Sequence, residues 1–208
     1  MKRLVLASSS VYRRALLTRL GLAFETVAPN IDETPLPHED PEATALRLAR
    51  EKACAVAKTI PDALIIGSDL VAVCGGRILG KPGHHAAALK QLQYVRGRMV
   101  EFHTALCLYD GAKNTMQQAN IPTRVQFRHL SDTGLERYLH LEKPYDTAAS
   151  MKVEGLGITL VQSVQSNDPT ALIGLPLIAL TDMLDRVLLS GLSKTGHTHE
   201  KTDTDAAS

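Results

Sequence analysis

The chain contains no tryptophan and only three Phe and five Tyr in 208 residues. Its core must therefore be aliphatic, and few rings are available on which single-stranded bases could stack. No excess of one charge makes up for this: 23 Lys plus Arg stand against 22 Asp plus Glu, and the two signs are interspersed. Neutralising a phosphate polymer calls for clustered positive charge, so polymeric nucleic acid is not an expected partner, while a small anionic ligand remains open. No apolar run approaches the about 18 residues of a membrane span. The start turns polar at Ser8 and again at Arg13-Arg14, too early for a secretory signal core. No membrane association and a cytoplasmic location are expected. Cys54, Cys74 and Cys107 are odd in number, widely spaced and without a Cys-x-x-Cys pair, which argues against a disulfide framework or a zinc knuckle and for buried thiols.

What is present is ordinary globular composition, 44% hydrophobic with 14 Gly and 10 Pro. Leu4 to Ala7 predicts a strand, and Ala15, Leu16, Leu17 and Leu20 a helical stripe stopped by Gly21. Phe24 to Ala28 reads as a second strand. A Pro-rich loop over 29–41 then leads to Asp40 as N-cap and Pro41 as first helical residue of a helix running to about Lys58. Leu64 to Ile66 and Leu70 to Val73 read as two strands broken at Gly67-Ser68-Asp69, with a hairpin turn at Gly75-Gly76 leading to Ile78-Leu79. A helix is expected over His84 to Tyr94, strands over Val100 to Tyr109 and Thr123 to Phe127 around a polar loop 110–120, and a helix capped by Ser131. Beyond Pro144, Gly157 to Val164 reads as a strand and Leu175 to Leu189 as a closing helix. The polar tail over 192–208, with His197 and His199, lacks apolar periodicity and is expected to be disordered and without function. No internal repeat is found. Strands alternating with helices around a central hairpin section predict an α/β fold with a mixed sheet.

Three constellations could carry chemistry. Ser8-Ser9-Ser10 followed by Arg13 and Arg14 lies between a strand and a helix start, where free N–H groups, hydroxyls and guanidinium groups suit phosphate. The same residues also fit simple capping with solvated arginines, and no Gly-x-x-x-x-Gly-Lys is present. Lys52 shares a helical face with Ala45, Leu48, Ala49 and Val56, so its ammonium either snorkels to solvent or points into a polar cleft. Asp69 after an apolar strand, and Lys81 in Gly80-Lys81-Pro82, read either as a turn acid with a solvated base or as a cation ligand with a phosphate-binding lysine. Asp32-Glu33 and the mixed pair Lys152 and Glu154 add further candidates. Hydroxyls and cations for oxyanions, with carboxylates for a hard cation, are the donors that a Mg²⁺ nucleoside-triphosphate site uses.

In order along the chain, Leu6-Ala7-Ser8-Ser9-Ser10 with Arg13-Arg14, Asp32-Glu33-Thr34, Ala49-Arg50-Glu51-Lys52-Ala53, Gly67-Ser68-Asp69 and Gly80-Lys81-Pro82 strongly resemble the Maf family of nucleoside-triphosphate pyrophosphatases. The resemblance continues through Phe127 to Ser131, Ala149 to Gly155 and Leu172 to Pro176, covering nearly everything from Met1 to about Leu189. It implies a mixed twisted sheet with helices on both sides and two lobes around a nucleotide cleft, similar to inosine-triphosphate pyrophosphatases. It also implies a single domain over 1–191, a homodimer, and a divalent cation, Mg²⁺ or Mn²⁺. Carried over residue by residue, Asp69 takes the general-base and metal position, Glu33 a metal position, and Ser8, Ser10, Arg13, Lys52 and Lys81 the phosphate positions.

One branch of the family, acting on dTTP and UTP, carries Arg, Thr and Gln where this chain has Tyr12, Leu70 and Glu154. The branch that hydrolyses 7-methyl-GTP carries Trp, Gln and Glu there, in a Ser-x-Lys-x-Glu-Gly context that Ser150 to Gly155 reproduces. Two of three positions thus favour methylguanine, whose positive charge suits an aromatic face at Tyr12 and a carboxylate at Glu154. Tyr12 also fits a packing role. Leu70 departs from the pattern because it cannot make the hydrogen bonds of Gln, and Val11 departs from the usual Pro. The expected activity is hydrolysis of 7-methyl-GTP to the monophosphate and pyrophosphate, clearing modified nucleotides. The alternatives are dTTP/UTP hydrolysis and nucleotide-dependent regulation of septum formation.

Overall fold

A computed structural model of the chain describes residues 2–192. The expected polar tail, His197 and His199 included, lies outside the described residues apart from Leu192. The first strand, β1 (Leu4–Ala7), is buried on both faces and leads through three serines into α1 (Val11–Thr18). The short β2 (Glu25–Val27) follows, then α2 (Pro41–Ala57), which starts as the sequence predicts: Asp40 accepts a hydrogen bond from the Ala43 N–H, and Pro41 fills the first turn. Next come β3 (Leu64–Cys74), β4 (Arg77–Ile78) and α3 (His85–Val95). A long hairpin, β5 (Met99–Asp110) and β6 (Thr115–Phe127), precedes α4 (Asp132–Glu142), β7 (Val161–Ser166) and α5 (Leu177–Leu192).

The strands form one mixed sheet in the order β2-β1-β3-β5-β6-β7, with β4 paired to β3. β1 runs parallel to both its neighbours, whereas β3, β5, β6 and β7 pair antiparallel. Alternation along β3 divides the core. Leu64 and Ile66 point to a cluster with α1 and α5, and Ile65 and Val71 point to the small-residue face of α2, Ala45, Ala49 and Ala53. Further along, Ala72 and Cys74 join a third cluster with Leu92 of α3 and Leu139 of α4. The sheet thus carries helices on both faces, as expected.

Several local expectations are corrected. Gly67-Ser68-Asp69 do not break a strand; they are the interior of β3, all paired with β5. Gly67 is there because α2 leaves no room for a side chain: a Cβ would lie 2.1 Å from the Ala49 carbonyl oxygen. The polar stretch 115–120 is strand rather than loop, because β5 supplies its hydrogen-bond ladder and Met116 and Ala119 reach the core clusters. Leu156–Leu160 is a 3-10 turn rather than strand, with the Gly157 N–H bonded back to the Lys152 carbonyl, so β7 starts only at Val161.

Candidate active site

The close approach of α2 to β3 sets the centre of the site. Gly67 and Asp69 lie on the face of β3 that meets α2, and Lys52 sits between Ala49 and Ala53, the two residues packed on Gly67. The Lys52 ammonium consequently donates to Asp69 Oδ1 at 2.6 Å and pairs with Glu33 Oε1 at 2.8 Å. Lys52 is 4% and Asp69 7% exposed, so this is a buried ion pair opening onto a cleft, and the snorkelling alternative for Lys52 is excluded. Burial alone would raise the Glu33 carboxyl, but the hydrogen bond and charge of Lys52, with Lys81 and Arg13 adding to them, carry it below its ordinary value.

Glu33 comes from the loop between β2 and α2, and that loop is tied to α2 by Arg47. The Arg47 guanidinium donates to both oxygens of Glu39, at 2.7 and 2.8 Å, and to the Thr34 carbonyl at 3.2 Å. The Arg47 bonds hold the Glu39 carboxyl well below its usual range, at about 2.

At the β1–α1 junction, Ser10 caps α1 by accepting from the Arg13 N–H, and the buried Ser8 accepts from the Ser10 N–H at 3.1 Å. Arg13 Nε donates to the Gly174 carbonyl at 2.8 Å, the same oxygen that lies 2.9 Å from Ser68 Oγ. Gly174 has φ +113°, a conformation that favours glycine, and it aims its carbonyl at these donors. Capping and cleft placement therefore coexist in the serine turn, and Arg13 is fixed rather than freely solvated.

These groups line a single cleft of about 720 Å³ together with Lys81, Leu70, Tyr12 and Glu154. The ten residues carried over from the family resemblance, from Ser8 to Glu154, thus converge, whereas the further candidates Arg14, Asp32 and Lys152 do not line the cleft: Asp32 accepts from Thr34, and Lys152 pairs with Glu142. The cleft has two chemically different ends. Ser8, Arg13, Lys52 and Lys81 supply donors and positive charge beside Asp69 and Glu33. At the other end the Tyr12 hydroxyl donates to Asp146 Oδ2 at 3.3 Å, and the Lys152 ammonium sits 5.7 Å from the Tyr12 ring centre while bonding Glu142 at 2.9 Å. Burial raises the Tyr12 hydroxyl, helped by the Asp146 carboxylate. Burial also raises the Glu154 carboxyl, and neighbouring Glu142 and Asp146 add to the rise against the opposing Lys152.

Asp146 and the Gly174 carbonyl escaped the sequence reading. Asp146 stands alone after Pro144-Tyr145, in no spacing pattern, and a backbone carbonyl has no sequence signature beyond its glycine. Glu33 and Asp69 present two carboxylates held by one ammonium, an all-oxygen donor set that fits a hard dication such as Mg²⁺ or Mn²⁺. Among the described residues, no helix is long and apolar enough to cross a membrane.

A family model described as "Maf-like protein" matches residues 3–187. A protein of Ralstonia nicotianae named 7-methyl-GTP pyrophosphatase is 61% identical over 88% of this chain and 95% of its own length. Proteins of the same name from Burkholderia pseudomallei and Nitrosospira multiformis are 60% and 57% identical, each over 88% of this chain and over 86% and 92% of their own lengths. A looser likeness, with TM-score 0.46 and 16% identity, links 75% of the chain to 90% of the solved Staphylococcus aureus Ham1 protein.

Proposed function

The chain belongs to the Maf family, and from that membership and the two ends of its cleft we propose that it is a nucleoside-triphosphate pyrophosphatase acting on 7-methyl-GTP. One observation carries the reading: an end lined by the hydroxyls and cations Ser8, Arg13, Lys52 and Lys81 and an end lined by Tyr12, Asp146 and Glu154 share one cleft large enough for a nucleotide. The relatives at about 60% identity, all named 7-methyl-GTP pyrophosphatase, support the choice of base.

In this reading the triphosphate lies along Ser8, Ser10, Arg13, Lys52 and Lys81. Asp69 is the catalytic residue that takes a proton from the attacking water. The water oxygen bonds to the α-phosphorus, the bond from that phosphorus to the α–β bridging oxygen breaks, and pyrophosphate leaves. Arg13, Lys52 and Lys81 neutralise the charge that grows on the leaving oxygens, so positioning and electrostatics supply most of the rate. A Mg²⁺ or Mn²⁺ ion, held by Asp69 and Glu33, would supply further neutralisation of phosphate charge. Lys52 keeps both carboxylates oriented.

At the base end, Tyr12 stacks on the methylated guanine, and Glu154 accepts from its N1–H and N2–H edge. Leu70 offers apolar contact only, so base selection rests on Tyr12 and Glu154, with Asp146 setting the Tyr12 hydroxyl. A cationic base also lowers the cost of burying the Glu154 carboxylate, which matches a carboxyl raised by burial. The proposal includes a single domain over 1–191, a homodimer, and action in the cytoplasm on the free nucleotide pool.

The test is pyrophosphate release by the purified protein with Mg²⁺ or Mn²⁺ on 7-methyl-GTP, GTP, dTTP, UTP and CTP at equal concentration. Preference for 7-methyl-GTP is expected. Preference for dTTP or UTP would overturn the base assignment, and no turnover of any nucleotide would overturn the enzymatic one.

A further inference from the structure

Outside the cleft, where α3 begins and α4 passes it, three side chains converge that the proposed chemistry does not use. Glu136 and His140 stand one helical turn apart on α4, so both project from the same face. His85, the first residue of α3, reaches across to them. The Glu136 Oε2 atom lies 2.7 Å from His85 Nε2 and 3.7 Å from His140 Nε2, and one ligand atom from each residue falls within 4.8 Å of the others. Among the described residues, this is the one group of three or more His, Cys, Asp or Glu side chains gathered so closely.

We propose that His85, Glu136 and His140 bind a transition-metal dication of the zinc class, at a site separate from the cleft carboxylates that clamps α3 to α4. Two imidazole nitrogens and a carboxylate oxygen form a borderline-soft set that suits Zn²⁺ or Co²⁺ and disfavours Mg²⁺. The far side of the His85 ring is already fixed as in metal sites: its Nδ1 lies 3.0 Å from the Tyr145 hydroxyl, an outer partner that leaves Nε2 to face Glu136. Only a small adjustment is needed, because the ion takes the place of the shared proton between His85 and Glu136. His140, 73% exposed, leaves a fourth position open to water.

The site also adjoins a wall of the cleft. The Tyr145 carbonyl accepts from the Gly83 N–H at 2.9 Å, two residues beyond Lys81, and Tyr145 is followed directly by Asp146. A metal on His85 therefore holds Tyr145, and with it the two joined segments from which Lys81 and Asp146 project.

The experiment takes the full chain, stripped with chelator and held in excess Mg²⁺, and titrates it with Co²⁺ and then Zn²⁺. Visible absorption of imidazole-bound Co²⁺ and the shift in melting temperature with Zn²⁺ are the readouts. One ion per chain and a raised melting temperature are expected. H140A, at an exposed position, should melt like the parent without metal and lose both signals. Y145F should weaken binding by about 10-fold or more, as removal of an outer hydrogen-bond partner does. A double H197A/H199A variant should bind as the parent does. Binding unchanged in H140A, binding lost in H197A/H199A, or no binding by the parent would each overturn the site.

Discussion

Lys52 and Asp69, seventeen positions apart in the chain, meet at 2.6 Å because nothing but hydrogen stands on Gly67 between their elements. The pair is buried, and the two charges are not equivalent: Lys52 also holds Glu33, whereas Asp69 bonds only Lys52 among the described side chains.

That asymmetry separates two variants. D69N leaves Lys52 paired with Glu33, so the protein should stay folded while turnover falls by about 10²–10⁴-fold, the usual worth of a positioned base. K52M strands Asp69 as an unpaired buried carboxylate and should cost about 3–5 kcal/mol of stability. Chemical denaturation alongside pyrophosphate release checks both; D69N with full turnover would remove Asp69 from the mechanism.

G67A should act at a distance from any phosphate. Its methyl would sit 2.1 Å from the Ala49 carbonyl oxygen, so α2 must move away from β3 and carry Lys52 with it. The expected cost is about 1–3 kcal/mol or more from overpacking, with a fall in kcat on top of it. A melting curve and a turnover assay at a temperature where the variant remains folded distinguish the two effects.

The raised Glu154 carboxyl predicts a pH dependence confined to base recognition. Because burial favours its neutral form, it gains a proton on acidification earlier than an ordinary glutamate does. KM for 7-methyl-GTP should therefore climb as the pH falls toward that range, before free carboxylates titrate. E154Q should have a raised KM that no longer follows pH over the same interval.

Acid should also loosen the loop that carries Glu33. The Glu39 carboxyl is depressed from 4.5 to about 2 by Arg47, so its contribution to stability is fully present above about 4.5 and is lost as the pH falls through about 2. Melting temperature followed across that interval should drop less steeply in E39Q than in the parent.

The sequence exposed the site more readily than the strands that hold it. Ten candidates from Ser8 to Glu154 reached the cleft, because hydroxyls, cations and carboxylates kept company with strand ends and helix starts that local signals such as Asp40-Pro41 make plain, while Arg14, Asp32 and Lys152 fell outside its lining. Gly67-Ser68-Asp69 looked like a turn because glycine and polar residues interrupt an apolar run. Only the neighbouring helix explains the glycine, and only paired partners explain Ser68, whose Oγ lies 2.8 Å from the Ala105 carbonyl and 2.9 Å from that of Gly174. Residues 115–120 were opaque for the same reason: polar composition reads as loop until β5 supplies a partner. Asp146 was invisible because its role depends on Tyr12, which lies 134 residues away.

Arg13 takes its aim from the Gly174 carbonyl, 161 residues downstream. The serine turn and α1 form from neighbouring residues, but the oxygen that orients their guanidinium belongs to a remote segment. A nascent or truncated chain that stops short of Gly174 carries the serines and the arginine without the anchor that aims Arg13. The geometry of the serine turn is thereby completed by a distant segment, and neither segment alone presents an aimed guanidinium.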